Sequence, residues 1–551
     1  MTGALPAPAR AETDVLVIGG GIAGFQAAIA ARKAGWRVTL AHLARGASTY
    51  VIAANVPLGH ADPADSPRAF ADDMVAAGCG LNDRRLVTAM AERSVAAFRD
   101  LAALGVPFAA DRDRFRQRHL SGNRYPRSVY VPEGTGRTIL DHLARHARAI
   151  GVEMLAGWRA VDLLRSADGV GGALIADRAA PALLAVHARA TVLAAGGIGR
   201  LYDDSTYPAD VACASYALAL DAGATLIDME FVQFEPTVTV HPAGCRGMEM
   251  PTAMLGDGAA LLNAAGERFM FRHNPEHGEK RIEKARMSLC IQREIDEGRG
   301  LPDGTVHFDA TRLPPDKLES YVSHCRRLRQ SGLDPAREMP RVRPAAHSEM
   351  GGILIDAAGR TGIPGLYAVG EAAGGIHGAS RLAGNGGGET LVFGVLVGEG
   401  VAADLSAGTA GTARIDAAAA LARLDSMRAG AGALTADEAK ALLRAAMGAG
   451  VGLYRDAAGL AAALAEIAAV EGELARGLSA HGLDDALSCI EARNMTLSAR
   501  LIASAALART ESRGAHQRTD HPERDDGSWS KHLGCRRSPS GSATMFDVPV
   551  H

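Results

Sequence analysis

The chain has 551 residues, with 59 basic against 62 acidic side chains and 47% hydrophobic residues. It is long for a single core, so several domains are expected, and its near-even charge excludes the footprint of a nucleic-acid or anionic-membrane binder. Seven cysteines without a CxxC pair argue against a disulfide framework, structural zinc or an iron–sulfur cluster; no metal is expected, and any cluster must belong to a separate electron-transfer partner.

The leader, MTGALPAPARAET, lacks the apolar stretch of a signal peptide, and no segment has eighteen uninterrupted apolar residues. A cytoplasmic address without direct membrane insertion follows. The first predicted element is the β-branched run 15–18, which meets Gly19, Gly21 and Gly24 in GxGxxG spacing. An Ala-rich helix then continues through Ile22 and Ala23 to Gly35. Strand, tight turn and helix in this order form a dinucleotide-binding start, with the phosphates at the helix N-terminus. After the second strand, near 37–41, the position often taken by a ribose-binding acid is nearest His42, which weakens a nicotinamide reading.

Residues 65–109 read as helical, and 131–150 contain a further helix that Thr135, in Gly134-Thr135-Gly136, is placed to cap. Strands are expected at 173–175 and 190–193, the second ending in Ala194, Ala195, Gly196 and Gly197. Two Gly-rich strand ends in one doubly wound sheet can embrace an extended dinucleotide such as FAD. The stretch 235–343 is rich in charge, Pro and His and reads as an inserted lid; the sheet resumes at 352–355 and 365–369. From about Ser406 the composition turns to Ala, Leu and Arg, helical spacing runs over 414–483, and Thr435 to Glu438 form a capping box. The polar segment 518–551 is expected as irregular chain on the surface.

The densest group of chemical residues is HSEMGG at 347–352, GLYAVGE at 365–371 and HGASRLAGN at 377–385. These segments resemble the HxxMGG, GLYAxGE and HGANRLxGN motifs of the succinate dehydrogenase and fumarate reductase flavoprotein family, which includes L-aspartate oxidase. Further matches lie in order at 266–270, 508–516 and 524–526. The resemblance implies an α/β fold: an FAD-binding, doubly wound, Rossmann-like domain (1–233 and 344–405), an inserted α+β capping domain (234–343) and a C-terminal helical domain with its tail (406–551). It implies an FAD-dependent oxidoreductase that moves a hydride between flavin N5 and a small carboxylate-bearing substrate.

The resemblance also places Glu371 at the FAD ribityl region and Arg381 and His347 on a substrate carboxylate. A guanidinium fork suits that task, because its fixed charge favours the electron density that builds up during hydride transfer. Asn385, Gly387 and Gly388 open an apolar helix whose N-terminus would point at the flavin pyrimidine. The family's proton-transfer Arg aligns with Lys284, with Arg286 two residues on, and either cation could relay a proton.

The family's covalent-flavin loop carries a His, whereas residues 47–55 here, including Ser48 and Thr49, have none, so FAD is expected to be non-covalent. The His of the family's FHPTG motif is replaced by Glu235 in FEPTV, 234–238. A carboxylate facing the far end of the substrate would repel a second carboxylate unless it is protonated or paired, which favours an amine, a hydroxyl or another donor there. His241, or Arg246 in a Cys245-Arg246-Gly247 that resembles part of the family's CRGEG segment, could restore a lost group. Counting back from Gly256 to Gly258 instead puts Leu255 opposite the motif's Arg, and Pro251 and Thr252 opposite its Thr and Glu. Two alternatives remain open: a flavin subunit serving a separate iron–sulfur protein, and an FAD-binding relative with an altered substrate.

Overall fold

The computed structural model describes residues 5–411, 415–428, 432–537 and 543–551; the first four residues of the leader and Arg414, where helical spacing begins, lie outside them. The strand Ala9–Ile18 runs parallel to Val38–His42 on one side and to Leu183–Leu193 on the other. Val15, Leu16, Val17 and Ile18 are all buried, as a strand covered on both faces requires. Leu183–Leu193 is also paired in parallel with Leu366–Ala368 and antiparallel with Gly169–Asp177, beyond which lies Trp158–Ser166; Glu153–Ala156 closes the opposite edge.

The helix Ile22–Lys33 packs along the helix Asn385–Ala407. Close approach depends on small residues: a Cβ on Gly394 would lie 2.4 Å from Gln26 Cβ, and one on Gly398 would lie 2.5 Å from Ala27 O. Asn385–Ala407 is long and apolar enough to cross a membrane by length and composition, yet more than half of that stretch is buried inside the protein.

The strands Val232–His241, Arg341–Glu349, Val306–Asp309 and Ala260–Leu262 form a second, antiparallel sheet; the helix Lys284–Asp296 packs on its first two strands, and Val322–Gln330 joins the same apolar core. It has a core of its own around Leu255, Met287, Ile291, Phe308 and Leu328. Two of its strands continue directly into the nucleotide-binding part, so limits at 234 and 343 cut through paired strands rather than through linkers. The C-terminal helices are Ala418–Arg428, Ala436–Gly450, Ala457–Arg476 and Leu483–Ala508, and both arms of the Thr435–Glu438 capping box are formed.

Several local expectations are corrected. Residues 65–109 hold two helices, Pro67–Ala77 and Arg84–Ala103, broken at Gly80 with φ +77°. The cap of Thr135–Ala149 is Gly134; the Thr135 hydroxyl instead donates to Ile52 O at 2.6 Å and accepts from Val131 N at 3.0 Å. Gly352–Leu354 does not rejoin the main sheet but a smaller one with Leu226–Ile227 and Ala373–Gly374. The tail is not irregular: Lys531–Arg537 and Ala543–Pro549 form a hairpin that extends this smaller sheet. His532, Leu533 and Cys535 are buried by it, and Asp228 bonds His532, so tertiary partners overrode a polar, Pro- and Gly-bearing composition.

Candidate functional site

A cavity of about 790 Å³ runs from the Gly19–Gly21 turn, past residues 47–53, to Arg381 and the inner face of the second domain. At its dinucleotide end Gly19 has φ +131°, and a Cβ there would lie 2.1 Å from Ala194 O. Gly24 lets helix and strand meet, since its Cβ would lie 2.1 Å from Gly19 O. Gly21, Ala23, Ser48, Thr49, Ala195 and Gly196 line the cavity. The Ser48 hydroxyl accepts from Ile22 N at 3.1 Å and so ties the 47–50 turn to the start of the helix.

His42 also lines the cavity; its Nδ1 lies 3.2 Å from Ala44 O and its buried Nε2 has no partner. Burial holds the ring below its usual pKa, which leaves a neutral imidazole. Glu371 accepts from Glu349 N at 2.9 Å and from the Tyr207 hydroxyl, and burial pushes its carboxyl up to about 8.

Five expected cofactor residues form walls rather than lining. Ile22 and Gly24 sit behind the turn. Gly197 leaves room for Glu371, whose carboxylate would lie 2.6 Å from an added Cβ. Asn385 accepts at 2.6 Å from Asn55 Nδ2, which also donates to Ala383 O at 2.9 Å. Gly388 packs on Asn55 O, 3.0 Å from where its Cβ would be. These residues shape the cavity by setting how closely backbones approach. Gly386 and Gly387 do line it, and a Cβ on Gly387 would lie 2.8 Å from Ala53 O.

At the far end Arg381 faces the cavity, is 9% exposed, has no partner for Nε, and reaches Leu382 O only at 3.4 Å. His347 Nδ1 lies 2.9 Å from the Thr206 hydroxyl and Nε2 lies 3.7 Å from Glu235. Burial, with Arg381 and Lys284 acting against Glu249, pushes His347 down to about 3, so it is neutral.

Lys284 is the first residue of its helix, and its ammonium bonds Glu235 and, at 3.0 Å, Glu249. Ser288, one turn on, donates to Phe234 O at 2.9 Å and fixes that helix on the strand carrying Glu235. Burial raises the Glu235 pKa, reinforced by Glu249 and opposed by Lys284. Burial acts the same way on Glu249, but the Lys284 ammonium prevails and holds it well below the usual carboxylate range. Glu235, Glu249 and His347 could converge on a metal ion, but the Lys284 ammonium already supplies a cation to both carboxylates.

The expectation that Glu235 faces the far end of the substrate is corrected: it is fully buried behind Lys284 and does not line the cavity. Arg286 is also displaced, being exposed on the outer side of its helix because it lies two residues, about 200°, around from Lys284. Leu255 belongs to the core of the second domain, His241 is exposed, and Arg246 pairs with Asp204 at 2.7 Å on the cavity rim.

The residue missed in sequence is Glu249. The strand ends at His241 and the chain turns back through 242–247, with Thr239 N bonded to Met248 O at 2.8 Å and Met250 N bonded to Thr237 O at 2.8 Å. That excursion brings Glu249 back opposite Val238 and beside Lys284. Alternation in TVTVH and MEM on either side of Pro242–Gly247 was the available signal for a hairpin.

A family model described as an FAD binding domain matches residues 14–386, and one described as a fumarate reductase flavoprotein C-terminal region matches 440–551. The chain is 34% identical to L-aspartate oxidase of Streptomyces coelicolor, over 99% of this chain and 95% of that one. It is 33% identical to a fumarate reductase (CoM/CoB) subunit of Methanothermobacter marburgensis, over 93% and 95%. Among solved structures, E. coli quinol fumarate reductase is similar with a TM-score of 0.92 and 28% identity, covering 98% of this chain and 97% of that one.

Proposed function

We propose, for a chain that belongs to the succinate dehydrogenase and fumarate reductase flavoprotein family of FAD-dependent oxidoreductases, that its site acts on a carbon next to a substrate carboxylate held by Arg381. The observation that carries this is the nearly buried guanidinium of Arg381, aimed into the cavity with Nε unpartnered. A buried donor of this kind is costly unless an anion completes it, and a carboxylate matches its fork. FAD, when bound, supplies the acceptor or donor of the hydride.

The residues present fit that cofactor: a glycine turn at a helix N-terminus for the pyrophosphate, a long cavity, and Gly386 and Gly387 where a flat ring needs backbone close by. With no His in residues 47–55, the cofactor is held non-covalently. Neutral His347 orients the carboxylate with Arg381. Lys284, protonated and flanked by Glu235, gives a proton at Nζ to the carbon beside the one that receives hydride, or takes one back in the oxidative direction.

The test is anaerobic stopped-flow mixing of the yellow holoenzyme with succinate, aspartate and hydroxy acids, and of the reduced enzyme with fumarate and other enoates. One class is expected to change the flavin spectrum within the enzyme's turnover time, and Arg381→Lys to slow it at least a hundredfold. Colourless protein that FAD cannot reconstitute, or an unimpaired Arg381→Lys enzyme, would refute the reading.

A second reading, that the chain is the flavin subunit of a larger complex, is favoured because several relatives are named as subunits, including one of Mycobacterium tuberculosis that is 31% identical over 98% of this chain. All seven cysteines here are unpaired. Slow reoxidation of the reduced flavin by oxygen would support it; fast reoxidation with hydrogen peroxide formed would favour a free-standing enzyme.

A further inference from the structure

Resting on the reading of Arg381 as carboxylate anchor, we propose that Glu249 selects a substrate whose far end is a hydrogen-bond donor, an ammonium or a hydroxyl group, and that it rejects a second carboxylate there. Glu249 lines the same cavity as Arg381, and among the described residues its side chain is engaged at Oε1, by Lys284 at 3.0 Å.

The cation in contact with Glu249 and two arginines of the cavity lining are already paired with acids. Lys284 is shared between Glu235 and Glu249. Arg246 is paired with Asp204, and Arg326 with Glu133 at 2.7 Å. The imidazoles of His347 and His324 are neutral, because burial pushes them down to about 3 and about 4. A distal carboxylate placed against Glu249 would therefore meet an ionised acid whose own cation, Lys284, is already divided between two carboxylates, whereas an ammonium or hydroxyl there gains an acceptor. Glu235 cannot play this part, being fully buried and off the cavity.

The experiment titrates the oxidised holoenzyme with three molecules of matched length, succinate, 4-aminobutyrate and 4-hydroxybutyrate, and follows the flavin difference spectrum. The wild type is expected to bind the two donors at least tenfold more tightly than succinate. Glu249→Gln should bring the three within threefold of one another, while Arg286→Ala, on the exposed side of the Lys284 helix, keeps the wild-type ranking. Tighter binding of succinate by the wild type, or an unchanged ranking in Glu249→Gln with full flavin content, overturns the proposal. If Glu249→Gln loses its flavin, the wild-type ranking decides. Arg381→Lys separates the two levels: it should weaken all three ligands, and if it weakens none, the carboxylate anchor itself is wrong whatever Glu249 does.

Discussion

Replacing Lys284 with Met removes one ammonium from between two carboxylates while keeping a chain of similar length. At 3.0 Å the Lys284–Glu249 attraction is roughly 5 kcal/mol for an effective dielectric of about 20. Desolvation offsets much of this, but removing one partner of a buried pair costs about 3–5 kcal/mol because the other charge is stranded. Glu235 is already biased towards its protonated form by burial, so the stranded charge is Glu249, and the lower end, about 3 kcal/mol, is expected.

The pH dependence has a definite sign. In the wild type the folded-state pKa of Glu249 is depressed to about 2, so its contribution is present above the unfolded carboxyl value and is lost as pH falls towards 2. In Lys284→Met loss of the ammonium should raise its folded pKa above the unfolded value, so the deficit, already present at pH 5, grows as pH rises through neutrality. Thermal unfolding at pH 5 and pH 8 reads this difference, and stopped-flow hydride transfer reads the chemistry. Loss of a positioned proton donor should slow turnover by about 10²–10⁴. Arg286→Ala, on the exposed side of the same helix, should stay within about twofold of wild type. A Lys284→Met enzyme within tenfold of the wild-type rate, with equal thermal deficits at both pH values, would refute the assignment of Lys284 and the ionisation of Glu249 together.

Two further outcomes follow from local geometry. Gly19→Ala forces a side chain into φ +131° and to 2.1 Å from Ala194 O, so purified protein should keep its circular dichroism but retain under a tenth of its FAD by absorbance; normal flavin content would mean that the turn does not hold the cofactor. His532→Gln tests the C-terminal hairpin. Burial lowers the His532 pKa but Asp228 overrides it, so the protonated pair stabilises fully below the unfolded His value and is lost as pH rises through the raised folded value. The variant should lose about 2 kcal/mol at pH 6 and less at pH 9 by thermal unfolding, and equal losses would argue against a charged pair.

Whatever local chain geometry controls was legible in the residues alone. The β-branched run ending in Gly19-x-Gly21-x-x-Gly24 can only be a strand, a tight turn and a helix, and its glycines state where backbones must approach. The Thr435–Glu438 box and the family motifs around His347, Glu371 and Arg381 are legible for the same reason: a few consecutive residues contain all the information. Tertiary structure decided what depends on partners far along the chain. Lys284 and Arg286 are equivalent as letters, and only the packing of their helix on the Glu235 strand buries one and exposes the other. Glu249 reaches Lys284 because a hairpin returns it across the sheet, a register that motif spacing left open. The tail became a β-hairpin because Asp228 and Leu226–Ile227 offer it a charge and a sheet edge, and neither lies within three hundred residues of it in sequence. Burial and charge pairing are sums over such distant neighbours, so whether a carboxylate in this site is an acid, an anion or a wall could be settled only after the chain had folded.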